Sequence, residues 1–508
     1  MSPADSVAAD RGFIDVNTVF GPEHGIGRAA DAPLSLLVEE RRRHGVRLAL
    51  ASSLVAAWAD PWGGNRAAVD AAADPANGLG AIAVVAPRET EAARRIADAE
   101  RLGVLGYRLE GWVVGSAAMD GLLRAIADTG RPVLVPLGAD WRSGVGFASA
   151  IGAATAGLGI PVILLGAHYT NIVDTLAAAR RYEHLHIETS ALAHFRAVAT
   201  AVATIGAERV LLGTGSPERA GASAIDAVLL ADIPDDAKRA ILAGNAGRLF
   251  GLAAGSVDLT PPVLPERAWD AHTHYGPFDQ DVPQVADADL LDALLGPAQD
   301  VAVASSAVAI YADPAAGNAQ AVAAAAGNGR QLSYVVADPH DLAFTEDQLR
   351  RHLGQHGVVG VKVHGNVLGL PTANRTMGDL FELLARFGRP VKIHNEGADW
   401  APALGEIART HPKLPIVIAH AGLGTPSVDA GRLAATHDNV YLELSSSFAR
   451  LAEVRRAVAA APIERLLWGS DVPLLDPHFV FGTYEDACIP RDAWQRVFWA
   501  NAAELYGR

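Results

Sequence analysis

The chain has 508 residues, half of them apolar and 19% charged, which excludes a disordered protein and suggests two domains of about 250 residues each. Its 57 acidic against 42 basic residues leave a formal charge of −15, and no basic run exceeds Arg41-Arg42-Arg43, which argues against a nucleic-acid surface. A lone cysteine, Cys488, excludes an intrachain disulfide and suits a reducing compartment. Met1 to Arg11 lacks the basic start and apolar core of a signal peptide, and no apolar run reaches the roughly 18–20 residues of a membrane span. A cytoplasmic protein without membrane or nucleic-acid partners is the expectation.

Taken in order, the chain repeats itself. Phe13-Ile14-Asp15-Val16-Asn17-Thr18-Val19-Phe20-Gly21 is answered by Ala268-Trp269-Asp270-Ala271-His272-Thr273-His274-Tyr275-Gly276, an offset of 255 residues between Asp15 and Asp270. The offset stays nearly constant. Gly130-Arg131-Pro132-Val133 matches Gly388-Arg389-Pro390-Val391, and Glu208-Arg209-Val210-Leu211 matches Glu464-Arg465-Leu466-Leu467. Asn245-Ala246 matches Asn501-Ala502 near the two ends. We read residues 1–252 and 268–508 as two copies of one domain, joined by a Pro-rich linker at 253–267.

Within each copy, short apolar runs alternate with Ala/Leu/Arg/Glu segments of helical period. The first copy predicts strands at 13–19, 46–52, 80–86, 104–110, 133–137, 161–165, 185–190 and 209–213. The second predicts them at 268–274, 301–309, 332–337, 358–364, 391–394, 416–420, 440–445 and 465–470. Eight β/α units in about 250 residues is the arithmetic of a (β/α)8 TIM barrel, so the fold class is α/β with two tandem barrels. An open doubly wound sheet is the alternative. It is disfavoured because no Gly-rich phosphate loop follows the first strand, and because the polar residues ending strands 1, 5, 6 and 8 converge only in a closed barrel.

Those polar residues carry the chemistry. In a strand, alternate side chains share a face, so His272 and His274 point together and form half of a site for a divalent ion. Val391-Lys392-Ile393-His394, Ile416-Val417-Ile418-Ala419-His420 and Leu466-Leu467-Trp468-Gly469-Ser470-Asp471 each run apolar and stop on a metal-binding or acid/base residue.

His-x-His on strand 1, Val-Lys-Val-His on strand 4, a His ending strand 5, Ala-His-Ala-Gly on strand 6 and Trp-Gly-Ser-Asp-Val-Pro on strand 8 resemble the amidohydrolase superfamily. The likeness is to the amidohydrolase-related branch that also holds aminocarboxymuconate-semialdehyde decarboxylase-like enzymes. It covers essentially all of 268–508 and, more weakly, 13–252. The resemblance implies that His272, His274, His394 and Asp471 bind one divalent metal, zinc first, with manganese or iron as alternatives. It also implies His420 as general base or polariser of bound water, and Asp471 as a proton shuttle.

Lys362, Asn395 and Tyr275 are expected to touch substrate, Lys362 as a plain amine whose counterpart is Arg108, with a carbamylated Lys362 bridging two metals, as in some binuclear amidohydrolases, as the alternative. His364 and Glu443 either line the pocket or pack behind it. His352, His356, His411 and His437 read as surface residues, His168 and His186 as structural, and Trp141 and Trp400 as packing aromatics. In the first copy Asn17, Val19, Pro136, Gly166 and Gly215 stand where the second has His272, His274, His394, His420 and Asp471. That copy is read as a pseudo-enzyme barrel and an internal dimer partner, with a homo-oligomer as a further expectation. The expected activity is metal-dependent hydrolysis of a small-molecule ester, lactone or amide. A lyase that decarboxylates or hydrates a small carboxylate is the alternative, and a non-catalytic scaffold the second.

Overall fold

The computed structural model describes residues 10–22, 31–87, 92–111, 117–137, 146–253, 255–278, 284–286, 299–326 and 329–507. The apolar runs become strands because a parallel sheet is buried on both faces, by helices outside and by side chains within the barrel. The first sheet contains β1 (Phe13–Pro22), β2 (Asp31–Ala32), β3 (Val46–Ser53), β4 (Leu79–Val85), β5 (Gly106–Leu109), β6 (Val133–Pro136), β7 (Val162–Leu165), β8 (Leu185–Glu188) and β9 (Val210–Leu211). The second contains β10 (Ala268–Phe278), β11 (Gln284–Ala286), β12 (Gln299–Ser306), β13 (Gln331–Val336), β14 (Val358–His364), β15 (Val391–His394), β16 (Ile416–Ile418), β17 (Val440–Glu443) and β18 (Leu466–Leu467). The chain divides into two compact units, one running through Pro262 and the other beginning at Val263.

Each sheet closes on itself. In the first unit the Val16 and Val19 amides donate to the Leu212 and Ser216 carbonyls at 2.9 and 3.0 Å. In the second, Ala271 and His274 donate to Trp468 and Val472 at 3.0 and 2.8 Å. First and last strands therefore pair, which removes the edges of an open sheet, and the doubly wound alternative is excluded. Both units are (β/α)8 barrels.

All sixteen predicted parallel strands form. Each barrel adds a short antiparallel strand, β2 or β11, beside the end of its first strand. The last strands shrink to Val210–Leu211 and Leu466–Leu467, and β16 stops at Ile418. His420 and Asp471, expected at strand ends, instead lie just beyond them in turns with φ of 58° and 63°. His352 corrects another expectation: it is buried rather than on the surface, on the inner side of the helix Leu342–His352. Trp400 is buried at the start of its helix, while Trp141 lies outside the described residues.

Buried polar clamps recur in both barrels. Asn65 brackets Val84, donating to its carbonyl at 2.8 Å and accepting from its amide at 2.7 Å. Asn318 does the same to Val336 at 3.0 and 2.8 Å. Asp15 accepts the amides of Asn17 and Thr214 at 3.0 and 3.1 Å, joining the first strand to the segment after the last. Asp270 accepts from His272 and Ser470, both at 3.0 Å. The Asp that set the repeat offset is thus a closure clamp in each copy.

Two predictions follow from these clamps. Truncation by Asn318→Ala strands a buried donor and acceptor of Val336 and is expected to cost about 1–3 kcal/mol, read from the urea midpoint. Burial pushes the Asp15 carboxyl from 3.8 up to about 7, against its hydrogen bonds to Thr214 and Asn17. The folded chain then holds this proton more tightly than the unfolded one, so Asp15 weakens the fold progressively as pH rises from about 4 to 7. Asp15→Asn keeps an acceptor without the charge, and its stability relative to the parent is expected to grow across that range in denaturation curves at stepped pH.

Candidate metal centre

Strand β10 brings His272 and His274 to the C-terminal mouth of the second barrel, both buried. His272 Nδ1 lies 2.8 Å from Glu443 Oε1. A carboxylate only accepts, so Nδ1 carries the proton and Nε2 keeps its lone pair. That Nε2 is 3.4 Å from Asp471 Oδ1 and 3.2 Å from Lys362 Nζ. His274 Nε2 sits 2.9 Å from the same Asp471 oxygen, and its Nδ1 is 3.2 Å from the Ser305 hydroxyl.

The other side of the cluster comes from β15 and β16. His394 stacks on His364, with ring centroids 4.3 Å apart, and its Nδ1 is 3.2 Å from His420 Nε2. His420 Nδ1 donates to the Ser445 carbonyl at 2.6 Å, which leaves Nε2 unprotonated toward the centre. Donor atoms of His272, His420 and Asp471 all lie within 4.8 Å of one another. His420 therefore sits inside the tight donor group and is placed to ligate as well as to act as a base.

Burial first, then the nearby Lys392 and Lys362, pushes the His272 imidazole well below its usual range. Burial likewise lowers His394, with His364 next in effect, and lowers His274 against the pull of Asp471. Burial works against the Asp471 charge, yet the His274 hydrogen bond, together with the nearby His420, His274 and Lys362, holds its carboxyl below the usual range. Neutral imidazoles beside an ionised carboxylate are the donors that zinc, manganese or iron(II) take, so the residues fit a divalent ion. The Lys362 ammonium is pushed down to about 7 by burial and then by Lys392.

The remaining expected contacts divide. Lys362 is fully buried inside the cluster. Asn395 is buried just past β15, with its amide oxygen accepting from Thr372 Oγ1 at 3.2 Å, a tie to the loop after β14, and no hydrogen bond from its amide nitrogen among the described residues. Tyr275 is half-buried on β10, paired in register with Ser306. Glu443, left open between lining and packing, is the hub behind the site. Its Oε1 accepts His272 Nδ1 and the His420 amide at 2.7 Å, and its Oε2 accepts the Ser445 amide at 2.8 Å. Lys392 was not singled out by the sequence, yet it is fully buried with Nζ 3.5 Å from Glu443 Oε1. The available signal was a lysine inside an apolar parallel strand, which must find a partner.

The first barrel keeps the frame of this site. Glu188 accepts the Gly166 and Ser190 amides at 2.7 and 2.6 Å, as Glu443 accepts those of His420 and Ser445. Asn17 Nδ2 reaches Glu188 at 3.3 Å, and Arg108 reaches Asn17 at 3.4 Å, in the places of His272 and Lys362. Gly166 and Gly215 hold the left-handed backbone, with φ of 75° and 68°, that His420 and Asp471 hold in the second barrel.

The sequence profile of the amidohydrolase family matches residues 28–252 and 267–508. A protein of Mycobacterium tuberculosis described as an uncharacterised metal-dependent hydrolase TatD is 34% identical over 115 residues, 22% of this chain. The alignment spans only 40% of that relative's own length. Among solved structures, 2,6-dihydroxybenzoate decarboxylase complexed with 2,6-dihydroxybenzoate is 15% identical, with 48% of this chain and 100% of that one covered at a TM-score of 0.37. A probable 2-pyrone-4,6-dicarboxylic acid hydrolase from Acinetobacter baumannii with citric acid bound is also 15% identical, over 48% of this chain and 100% of that one, at a TM-score of 0.39. With both halves matched over most of their length, the chain belongs to the amidohydrolase family, whose members are metal-dependent enzymes.

Proposed function

We propose that the second barrel hydrolyses a small-molecule ester, lactone or amide, and that the first is a pseudo-enzyme domain. One observation carries this reading: four imidazoles and a carboxylate from strand ends 1, 5, 6 and 8 meet at one barrel mouth, with His272, His420 and Asp471 donors within 4.8 Å. His272, His274, His394 and Asp471 would hold a divalent ion, His272 and Asp471 sharing the 4.8 Å donor group with His420, and zinc is the first choice. Such an ion, when bound, supplies a polarised water of lowered pKa.

The chain's own groups supply the rest. His420 donates from Nδ1 to the Ser445 carbonyl, so its Nε2 is free to take a proton from an attacking water. Asp471 is an ionised acceptor in the same space; whichever of His420 and Asp471 takes the water's proton can return that same proton to the leaving group. Lys362 offers a buried nitrogen donor to an anionic part of the substrate. That last feature favours a second reading, in which a small carboxylate is bound and loses carbon dioxide or gains water. In the first barrel, no comparable group of donors gathers at the mouth among the described residues, which supports its pseudo-enzyme reading.

About one divalent ion per chain is expected by elemental analysis of the purified protein, and none in His272→Ala/His274→Ala. The same variant is expected to lose several kcal/mol of transition-state stabilisation, about a thousandfold or more in kcat/KM on any substrate found. A screen of esters, lactones, amides and carboxylates in isotope-labelled water separates the chemistries. Hydrolysis places one labelled oxygen in a newly formed carboxyl group, whereas the label in a new hydroxyl group, or release of carbon dioxide without label in the organic product, would replace hydrolysis with the lyase reading.

A further inference from the structure

We propose that Lys392 is a positioning residue of the metal centre, acting through Glu443 to hold His272 in its metal-donating orientation; this rests on the metal-dependent reading of the second barrel. Lys392 Nζ is fully buried, 3.1 Å from the Ala271 carbonyl and 3.5 Å from Glu443 Oε1. The carbonyl belongs to the residue next to His272, and the carboxylate oxygen is the one that His272 Nδ1 and the His420 amide share. One ammonium thus ties together the strand bearing His272 and the oxygen that orients its ring. With Nδ1–H held there, Nε2 faces the centre.

The fold itself does not call for this lysine. At the matching place on β6 the first barrel has Leu134, 2% exposed and packed in a core with Ile14, Leu50 and Ile163. Glu188 nevertheless keeps both backbone donors, at 2.7 and 2.6 Å, in the barrel that has leucine at this place. The carboxylate hub therefore folds without a lysine there. A buried charge carries a desolvation penalty of several kcal/mol that a leucine avoids. The charge is present only in the barrel where the hub must also aim an imidazole, and there it sits on the oxygen that does the aiming.

The test uses the full chain loaded with Zn2+ or Co2+. Lys392→Met and Lys392→Leu are expected to fold, since the first barrel folds with leucine at that place, with an apo thermal midpoint below that of the parent because Glu443 stays buried without its cation. Both are expected to bind Zn2+ about 10- to 100-fold more weakly in chelator competition and to shift the visible bands of bound Co2+. Lys392→Met/Glu443→Gln is expected to bind no more weakly than Glu443→Gln alone, because the lysine works through that carboxylate. Parent-like affinity and Co2+ spectrum in both single variants would overturn the proposal, as would losses that multiply in the double variant. Failure of both single variants to fold would make the lysine structural and overturn it too. If the parent chain takes up no ion, the metal-dependent reading itself fails, which separates the two cases.

Discussion

The constraint on which the second barrel's chemistry depends is the buried carboxylate of Glu443. Its two oxygens accept the His272 ring, the amides of His420 and Ser445, and the charge of Lys392. It links four strands of the barrel. A carboxylate in a dry interior is strongly disfavoured unless every lone pair is used, and here hydrogen bonds and a cation use them. Burial works to raise its carboxyl, and Lys392, His420 and the Ser445 and His420 donors hold it below the usual range instead. The packing around it leaves room for nothing else. A Cβ on Gly469 would lie 2.9 Å from Glu443 Oε2, and one on Gly213 would lie 2.1 Å from the matching oxygen of Glu188. That close approach is why both copies carry glycine there.

Around this hub the functional groups sit on unfavourable backbone. His420, Ala421 and Asp471 all have positive φ, a conformation that costs an L-residue on the order of 1 kcal/mol or more relative to glycine. Leaving the β ladder in this way turns the His420 and Asp471 side chains inward just past their strands, where straight continuation would carry them along the sheet. The strain is local and is held by hydrogen bonds: Asp471 donates its amide to the His272 carbonyl at 2.7 Å, and His420 donates its own to Glu443. Backbone strain of this kind concentrates where side-chain placement matters for function.

Much of this was legible in the sequence, for reasons that differ by residue. Apolar runs at regular spacing gave the eight β/α units of each half, because burial on both faces demands them. The placing of His272, His274 and His394 at one barrel mouth could be read ahead because each lies toward the C-terminal end of a predicted apolar strand. The true ends of β16 and β18 were not, since a left-handed turn after Ile418 or beyond Leu467 depends on hydrogen bonds to other strands. Lys392 escaped for the same reason, and Glu443 was left open between lining and packing: their partners include Ala271, His272 and each other, residues far apart in the chain and joined only by barrel closure. His352 looked polar and terminal, but its helix turns it inward against the barrel wall. The bond from Thr372 to the Asn395 amide oxygen was likewise out of reach of the sequence, since it joins the loops after β14 and β15.

The first barrel shows what the scaffold needs once the histidine cluster is absent. It retains the Asp15 closure clamp, the Glu188 hub, the left-handed turns and the cis prolines at Pro217 and Pro473 in their respective copies. These belong to the fold. Among the described residues it lacks a gathered donor group like that of His272, His420 and Asp471, and it has Leu134 at the place of Lys392. At the places of His420 and Asp471 it has glycine, the residue for which the same turn is nearly free of strain. The two copies therefore divide the site's interactions into those that hold a barrel together and those that hold donors in place against the barrel's own preference. The second set is confined to one half of the chain.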